Sequence, residues 1–360
     1  MGGEEFVQIL KDNGIQHFTG VPCSVFTNPI AYLEANEDYV IAASEGEAMG
    51  IAAGMALGGA IPAVFMQNDG LGNAINPLTS LTKLYEFPTL LVISWRGEPG
   101  VKDAPQHAWS GKTLTDFLDV MQIRYIILEE DESAEKTRIA ELIQHISKNN
   151  ETAAIICKKG IFGKEAPAPD EDTGIISRQE ALEAVMRSVK DDTMIVSTTG
   201  KPSREIYTAK DRPNNFYVVG SMGCTSAIAL GLNRMTGRQV ITVDGDGAIL
   251  MKMGTLATVG HYQPENFLHI CVDNEKYEST GGQTTVSKSI NLSDVARACK
   301  YPMVLNQKTA DEIQQCITDW YSNPKLTFIH IKVSVKTDPA LGRPKETPQE
   351  LKTRFMEHLA

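Results

Sequence analysis

Short apolar runs alternate with helix-periodic stretches along most of the chain, and this alternation restricts the fold more than any other feature. "YVIAA" (39–43), "IPAVFM" (61–66), "PTLLVISW" (88–95), "RYIILE" (124–129) and "TAAIIC" (152–157) are apolar almost without interruption. That is the pattern of strands buried on both faces, whereas a half-exposed strand alternates. Between them, Glu45–Leu57 and Ser133–Ser147 place apolar residues at helical spacing. Strand, helix, strand in this order predicts an α/β protein with parallel sheets covered by helices on both faces.

The composition shifts at "FGKEAPAPDEDTG" (162–174), which is rich in Pro, Gly and acids and has no apolar period. It reads as a linker. Beyond it, Ser177 and Glu180 form a capping-box pattern that opens a helix. A second set of buried strands follows: "MIVS" (194–197), "FYVVG" (216–220), "VITVD" (240–244), "FLHICVD" (267–273) and "LTFIHIKV" (326–333). The expectation is two doubly wound parallel-sheet domains, 1–162 and 175–360, joined by a linker at 163–174, with no middle domain. A length of 360 residues suits two domains.

The net charge of −11 argues against nucleic acid as a partner, because phosphate binding needs clustered Lys and Arg. The six cysteines, Cys23, Cys157, Cys224, Cys271, Cys299 and Cys316, include no C-x-x-C pair. Zinc ribbons and iron–sulfur clusters are therefore not expected. With no leader pattern and no apolar run of 18 residues, the sequence reads as cytoplasmic with reduced thiols and no membrane partner.

Two strands end in oxygen-bearing side chains. Asp244, Gly245, Asp246 and Gly247 follow "VITV", and Asp273 and Asn274 follow "FLHICV". In open α/β sheets, ligands sit at the carboxyl ends of strands. If these two strands are neighbours, Asp246 and Asn274 meet. A carboxylate and an amide oxygen suit magnesium, and glycines beside them let backbone amides approach a phosphate. Either segment alone is equally consistent with an ordinary turn.

GDG at 245–247, followed after residues 248–272 by "DNEKY" (273–277), resembles the diphosphate-binding motif of thiamine-diphosphate enzymes, with Asp273 in place of an Asn. The resemblance implies thiamine diphosphate held through magnesium, with Asp246, Asn274 and the carbonyl of Lys276 as metal ligands and Gly247 and Ala248 beside the cofactor. "AASEGEAMGIAAGMALGG" (42–59) resembles the family's pyrimidine-binding segment, which makes Glu45 the acid that activates the cofactor. "VVGSMGCTSAIALGLN" (218–233) resembles the segment that bends the cofactor, with Met222 as its apolar wedge and the carbonyl of Gly220 as an acceptor. "STTGKPSRE" (197–205) resembles a phosphate loop and places Thr199 and Gly200 at the cofactor. Domain 1–162 is then pyrimidine-binding and 175–360 diphosphate-binding.

"GVPCS" (20–24), "NDGLGNAINPLTSL" (68–81), "SWRGEPGVKDAPQH" (94–107), "YESTGGQ" (277–283) and "LGRPKETPQE" (341–350) narrow the resemblance. They are similar to the branch that decarboxylates short 2-oxo acids carrying a phosphonate or, alternatively, a sulfonate. The implied reaction is a carboxy-lyase step on 3-phosphonopyruvate in phosphonate biosynthesis. Apart from any resemblance, Arg96, Lys102 and His107 share one Gly/Pro-rich loop after a strand, and such a loop can offer cations to a multiply charged acid. Ser24, Thr280 and Gly281 are the other expected substrate contacts, and His107 is the expected proton donor. The resemblance also implies a homodimer or dimer of dimers, with active sites at the subunit interface.

Overall fold

The computed structural model describes residues 1–36, 38–163, 175–334 and 341–359. The expected linker, except for Gly163, lies outside them. The chain divides into two compact units, Met1–Pro167 with Thr280–Gln283, and Ala168–Ser279 with Thr284–Ala360.

The first unit contains a six-stranded sheet whose spatial order is Tyr39–Ile41, His17–Gly20, Pro62–Gln67, Thr89–Trp95, Thr152–Lys158, Arg124–Ile127. All its pairings are parallel. Its central strands are apolar throughout because each face meets a core of its own. Phe65 and Val92 pack with Phe6, Phe18 and Phe26 on one side. Val64, Met66, Leu91 and Ile93 pack with Met49, Leu114 and Leu118 on the other. The helix Glu45–Leu57 starts where the periodicity predicts, capped by the Ser44 hydroxyl accepting from Glu47 N.

The second unit repeats the plan. Its sheet runs Met303–Gln307, Thr327–Lys332, Phe267–Asp273, Val240–Gly245, Met194–Ser197, Asn215–Tyr217, again parallel throughout. Ser177 and Glu180 form the expected capping box at the head of Arg178–Ser188. The register sets Asp244 beside Cys271 and Gly245 beside Val272. The two acid-ended strands are therefore neighbours and finish level.

Two strands of the six-stranded sheets escape the apolar-run reading. The strand His17–Gly20 has only four residues and includes His and Thr, so no run stands out, although it lies inside the sheet. Met303–Gln307 is an edge strand with polar Asn306 and Gln307. The helix after Val240–Gly245 begins at once at Asp246 and ends at Met251, before a second helix Gly254–Tyr262. The glycines of the turn impose no delay, because Gly247 and its neighbours already hold helical geometry.

Gly260 lies where this second helix crosses the end of Leu292–Ala298. A Cβ there would sit 1.7 Å from the carbonyl oxygen of Cys299. Rigid backbone on both sides leaves the clash no side chain to deflect. Gly260→Ala should destabilise the protein by about 1–3 kcal/mol, the usual cost of overpacking. A urea midpoint equal to wild type would refute this close approach.

Candidate active site

In the first unit, one turn touches three of the expected functional residues. Asn68–Gly70 follows the strand Pro62–Gln67 directly. The buried Asn68 side chain clasps the Arg96 backbone: its Oδ1 accepts from Arg96 N at 2.9 Å, and its Nδ2 donates to Arg96 O at 2.8 Å. Asp69 accepts from the His107 ring at Nδ1 and from the Ser110 hydroxyl. Gly70 lies under Glu45, where a Cβ would sit 2.2 Å from Glu45 Oε1. Glu45 is buried at the helix start, and its Oε2 accepts from Asn73 Nδ2 at 2.8 Å.

Arg96 is engaged on two sides. Its Nε and Nη2 donate to Asp103 at 2.7 and 2.6 Å, and its Nη1 donates to Ser24 Oγ at 3.0 Å. Hydrogen bonds from Arg96, reinforced by the Ala104 and Gly97 amides, hold the Asp103 carboxyl well below the usual carboxylate range despite its burial. Gly97 adopts φ +71°, and a Cβ there would lie 2.0 Å from the His107 carbonyl oxygen. The Arg96 loop is thus pressed against the His107 segment. Lys102 is exposed and has no partner among the described residues. Thr280 and Gly281 group with this unit, where the Thr280 carbonyl accepts from Thr27 Oγ1 at 3.1 Å.

In the second unit, Asp246 is 2% exposed. Its Oδ2 accepts from Thr285 Oγ1 at 2.5 Å and from Ser287 Oγ at 3.0 Å. Burial, together with the neighbouring Asp273 charge, pushes its pKa up to about 6, with the hydroxyl bonds opposing. Asp273 is buried as well, yet His330 at 2.8 Å and Lys332 at 2.7 Å hold it below the usual range. Ser287 Oγ also donates to Asp273 Oδ1 at 3.1 Å and so joins the two acids. Asn274 Oδ1 accepts from Lys276 N at 3.2 Å, and Asn274 Nδ2 donates to Glu278 at 3.3 Å.

Around these groups glycines let neighbouring side chains pack closely. A Cβ on Gly247 would meet the Tyr277 ring at 2.6 Å and Met222 Cε at 3.2 Å. Gly200, at φ +93°, heads the helix Lys201–Lys210, and Thr199 Oγ1 donates to the Val219 carbonyl beside Gly220 at 2.8 Å. Ala248 is buried in the helix that follows Asp246. The structure therefore gathers Asp246, Gly247, Met222 and Tyr277 in one place and seats Asn274 at the end of the adjacent strand. A buried carboxylate with a raised pKa, beside a second acid and an amide at the adjoining strand end, has the hard oxygen donors that suit a divalent cation. Among the described residues no three His, Cys, Asp or Glu side chains cluster as a metal site. The expected set of carboxylate, amide and backbone carbonyl does not require such a cluster.

Several residues go unnoticed in the sequence reading: Asn68, Asp69, Gly70, Asn73, Asp103 and Ser110 in the first unit, and Ser287, His330 and Lys332 in the second. Asn68 and Asp69 were detectable, since they close a buried strand just as Asp246 does. His330 and Lys332 offered no signal, because they lie within and at the end of a strand far along the chain. Thr285 also has no role of its own in that reading, and its hydroxyl is given to Asp246.

Residues 1–121 match the family model for the thiamine pyrophosphate enzyme N-terminal binding domain, and residues 199–331 match that for the C-terminal binding domain. Both matches, with the two parallel sheets, define a thiamine pyrophosphate (thiamine diphosphate) enzyme without a middle domain. The chain is 35% identical to a phosphonopyruvate decarboxylase of Streptomyces viridochromogenes over 99% of its own length and 94% of that relative. It is 34% identical to one from Streptomyces hygroscopicus, over 96% and 90%, and 28% identical to a sulfopyruvate decarboxylase of Methanosarcina acetivorans, over 99% and 97%. The chain belongs to the phosphonopyruvate decarboxylase family.

The Arg96–Asp103 pair yields a pH test. A carboxylate whose folded pKa is depressed adds stability that is fully present above its unfolded pKa, about 3.9, and is lost as pH falls toward the folded value. Wild type should therefore exceed Asp103→Asn in stability by a margin that is constant above about pH 4 and shrinks below it. Urea midpoints of both proteins across this range measure the margin. A pH-independent gap would mean that the pair carries no linked charge.

Proposed function

We propose that the protein decarboxylates 3-phosphonopyruvate to phosphonoacetaldehyde and carbon dioxide, using thiamine diphosphate and magnesium. Family membership across nearly the whole chain carries this reading. The chemistry of the site residues supports it: buried acids that suit a metal and a cofactor ring, and an Arg–Ser pair that suits an anion. Bound thiamine diphosphate supplies a nucleophilic ring carbon and an acceptor for the electrons released as carbon dioxide departs.

The protein's own groups bind, orient and move protons. Asp246, Asn274 and the Lys276 carbonyl hold the magnesium ion, with Thr285 and Ser287 fixing the Asp246 carboxylate. Thr199, Gly200, Gly220, Gly247 and Ala248 line the cofactor, and Met222 supports it from the apolar side. Glu45 would share a hydrogen bond with the ring nitrogen of the cofactor's pyrimidine. Arg96, Ser24 and Lys102 attract the carboxylate and phosphonate, while Thr280 and Gly281 complete the contacts. His107 delivers a proton to the substrate carbon that loses carbon dioxide.

Purified protein should release carbon dioxide from 3-phosphonopyruvate only with thiamine diphosphate and magnesium together, and faster than from sulfopyruvate at equal concentration. Faster turnover of sulfopyruvate would move the assignment to the sulfonate substrate.

The active assembly is a homodimer or dimer of dimers, in the cytoplasm, with Glu45 of one chain serving alongside Asp246 of another. This extends the resemblance in "AASEGEAMGIAAGMALGG", whose small residues permit close helix packing. Glu45→Gln and Asp246→Ala chains should each be inactive alone and regain part of the activity when mixed after reversible dissociation. In a hybrid dimer one site carries both lesions and the other neither. Hybrids confirmed by native mass spectrometry that stay inactive would overturn the shared site.

A further inference from the structure

The contact between Asp69 and His107 links one expected functional residue to a residue given no role so far. His107 is 7% exposed and follows the tightly packed Arg96 loop. Its Nδ1 is engaged by Asp69 Oδ2, and the other carboxylate oxygen, Oδ1, receives the Ser110 hydroxyl. Ser110 in turn accepts from Asn68 Nδ2 at 3.3 Å. A carboxylate only accepts, so Nδ1 carries a proton, and Nε2 becomes the nitrogen available for exchange. Arg96 and Asp103, on the loop packed against the His107 segment, are already paired with each other at 2.6 Å. Asp69 thus stands as the carboxylate in contact with the imidazole. Its side chain remains 30% exposed and lines a cavity of about 310 Å³ together with Ser110, Trp109 and Phe117.

We infer that Asp69, braced by Ser110, is a positioning residue for His107, acting through the imidazole and not on the substrate. It fixes the Nδ1–H tautomer and the ring plane. When Nε2 is also protonated, that proton passes to the carbon vacated by carbon dioxide, the N–H electron pair stays on nitrogen, and the neutral ring keeps its Nδ1–H on Asp69. Solvent then returns a proton to Nε2. This inference rests on the assignment of proton transfer to His107.

Three measurements test it. Nitrogen-15 spectra of histidine-labelled protein, with no substrate present, should show His107 as the Nδ1–H tautomer in wild type. Asp69→Asn should lose that signature, because its amide can donate to Nδ1 and favour the opposite tautomer. Kinetically, Asp69→Asn should lower kcat by about tenfold or more, within the range of general acid–base catalysis, while KM stays within about threefold. Hydrogen–deuterium exchange at the reactive cofactor carbon should remain at the wild-type rate. In a His107→Ala background the same substitution should cost nothing further.

A wild-type tautomer and kcat in Asp69→Asn, or losses that multiply in the double variant, would overturn the positioning role while leaving His107 as proton donor. A His107→Ala variant with undiminished kcat would overturn the donor assignment and this inference with it. If Asp69→Asn fails to fold, Ser110→Ala applies the same test. It should give a smaller fall in kcat that disappears in the His107→Ala background, and an unchanged kcat would overturn the inference.

Discussion

A carboxylate at the end of a buried parallel strand has lost water and must recover its hydrogen bonds from the protein. That requirement organises both units. Parallel strands all finish on one edge, so polar groups at their ends collect there. At Asp246 the donors are two hydroxyls, and the remaining strain shows as a pKa raised to about 6. At Asp273 the compensation is ionic, through His330 and Lys332. Asp69 keeps part of its water and is held by an imidazole and a hydroxyl.

These solutions differ in what they leave available. Asp273 is neutralised and serves to hold Ser287, so the Asp that replaces an Asn in the motif acts as an anchor for the residue beside it. Asp246 is held by two hydroxyls, and burial beside the Asp273 charge leaves its pKa raised to about 6. Asp103 spends its charge on Arg96 and thereby fixes the loop that also carries His107. Stability and site geometry rest on the same contacts. Loss of one partner leaves a buried charge and a displaced functional group together.

The resemblance and the strand-end rule single out Glu45, Asp246 and Asn274 as candidates, since each stands in a short local pattern next to an apolar run. Arg96 and His107 were legible as members of one Gly/Pro-rich loop. Their partners were not. Asp103 and Asp69 could be any loop acids until the fold closes, and Lys332 looks like an ordinary strand-end lysine. Partnership depends on which strands are neighbours and in what register, and no local pattern encodes that.

By itself the sequence determined the architecture of two parallel α/β sheets, because runs apolar on every residue can be buried only on both faces. It also determined the identity of the residues at the strand ends, because glycine and acid patterns there are local. The tertiary structure alone decided that Asp273 meets His330 and Lys332, that Asp246 is held by hydroxyls and that Asp69 meets an imidazole. Those outcomes depend on donors brought from distant parts of the chain and on the loss of water around them, both of which exist only once the sheets have packed.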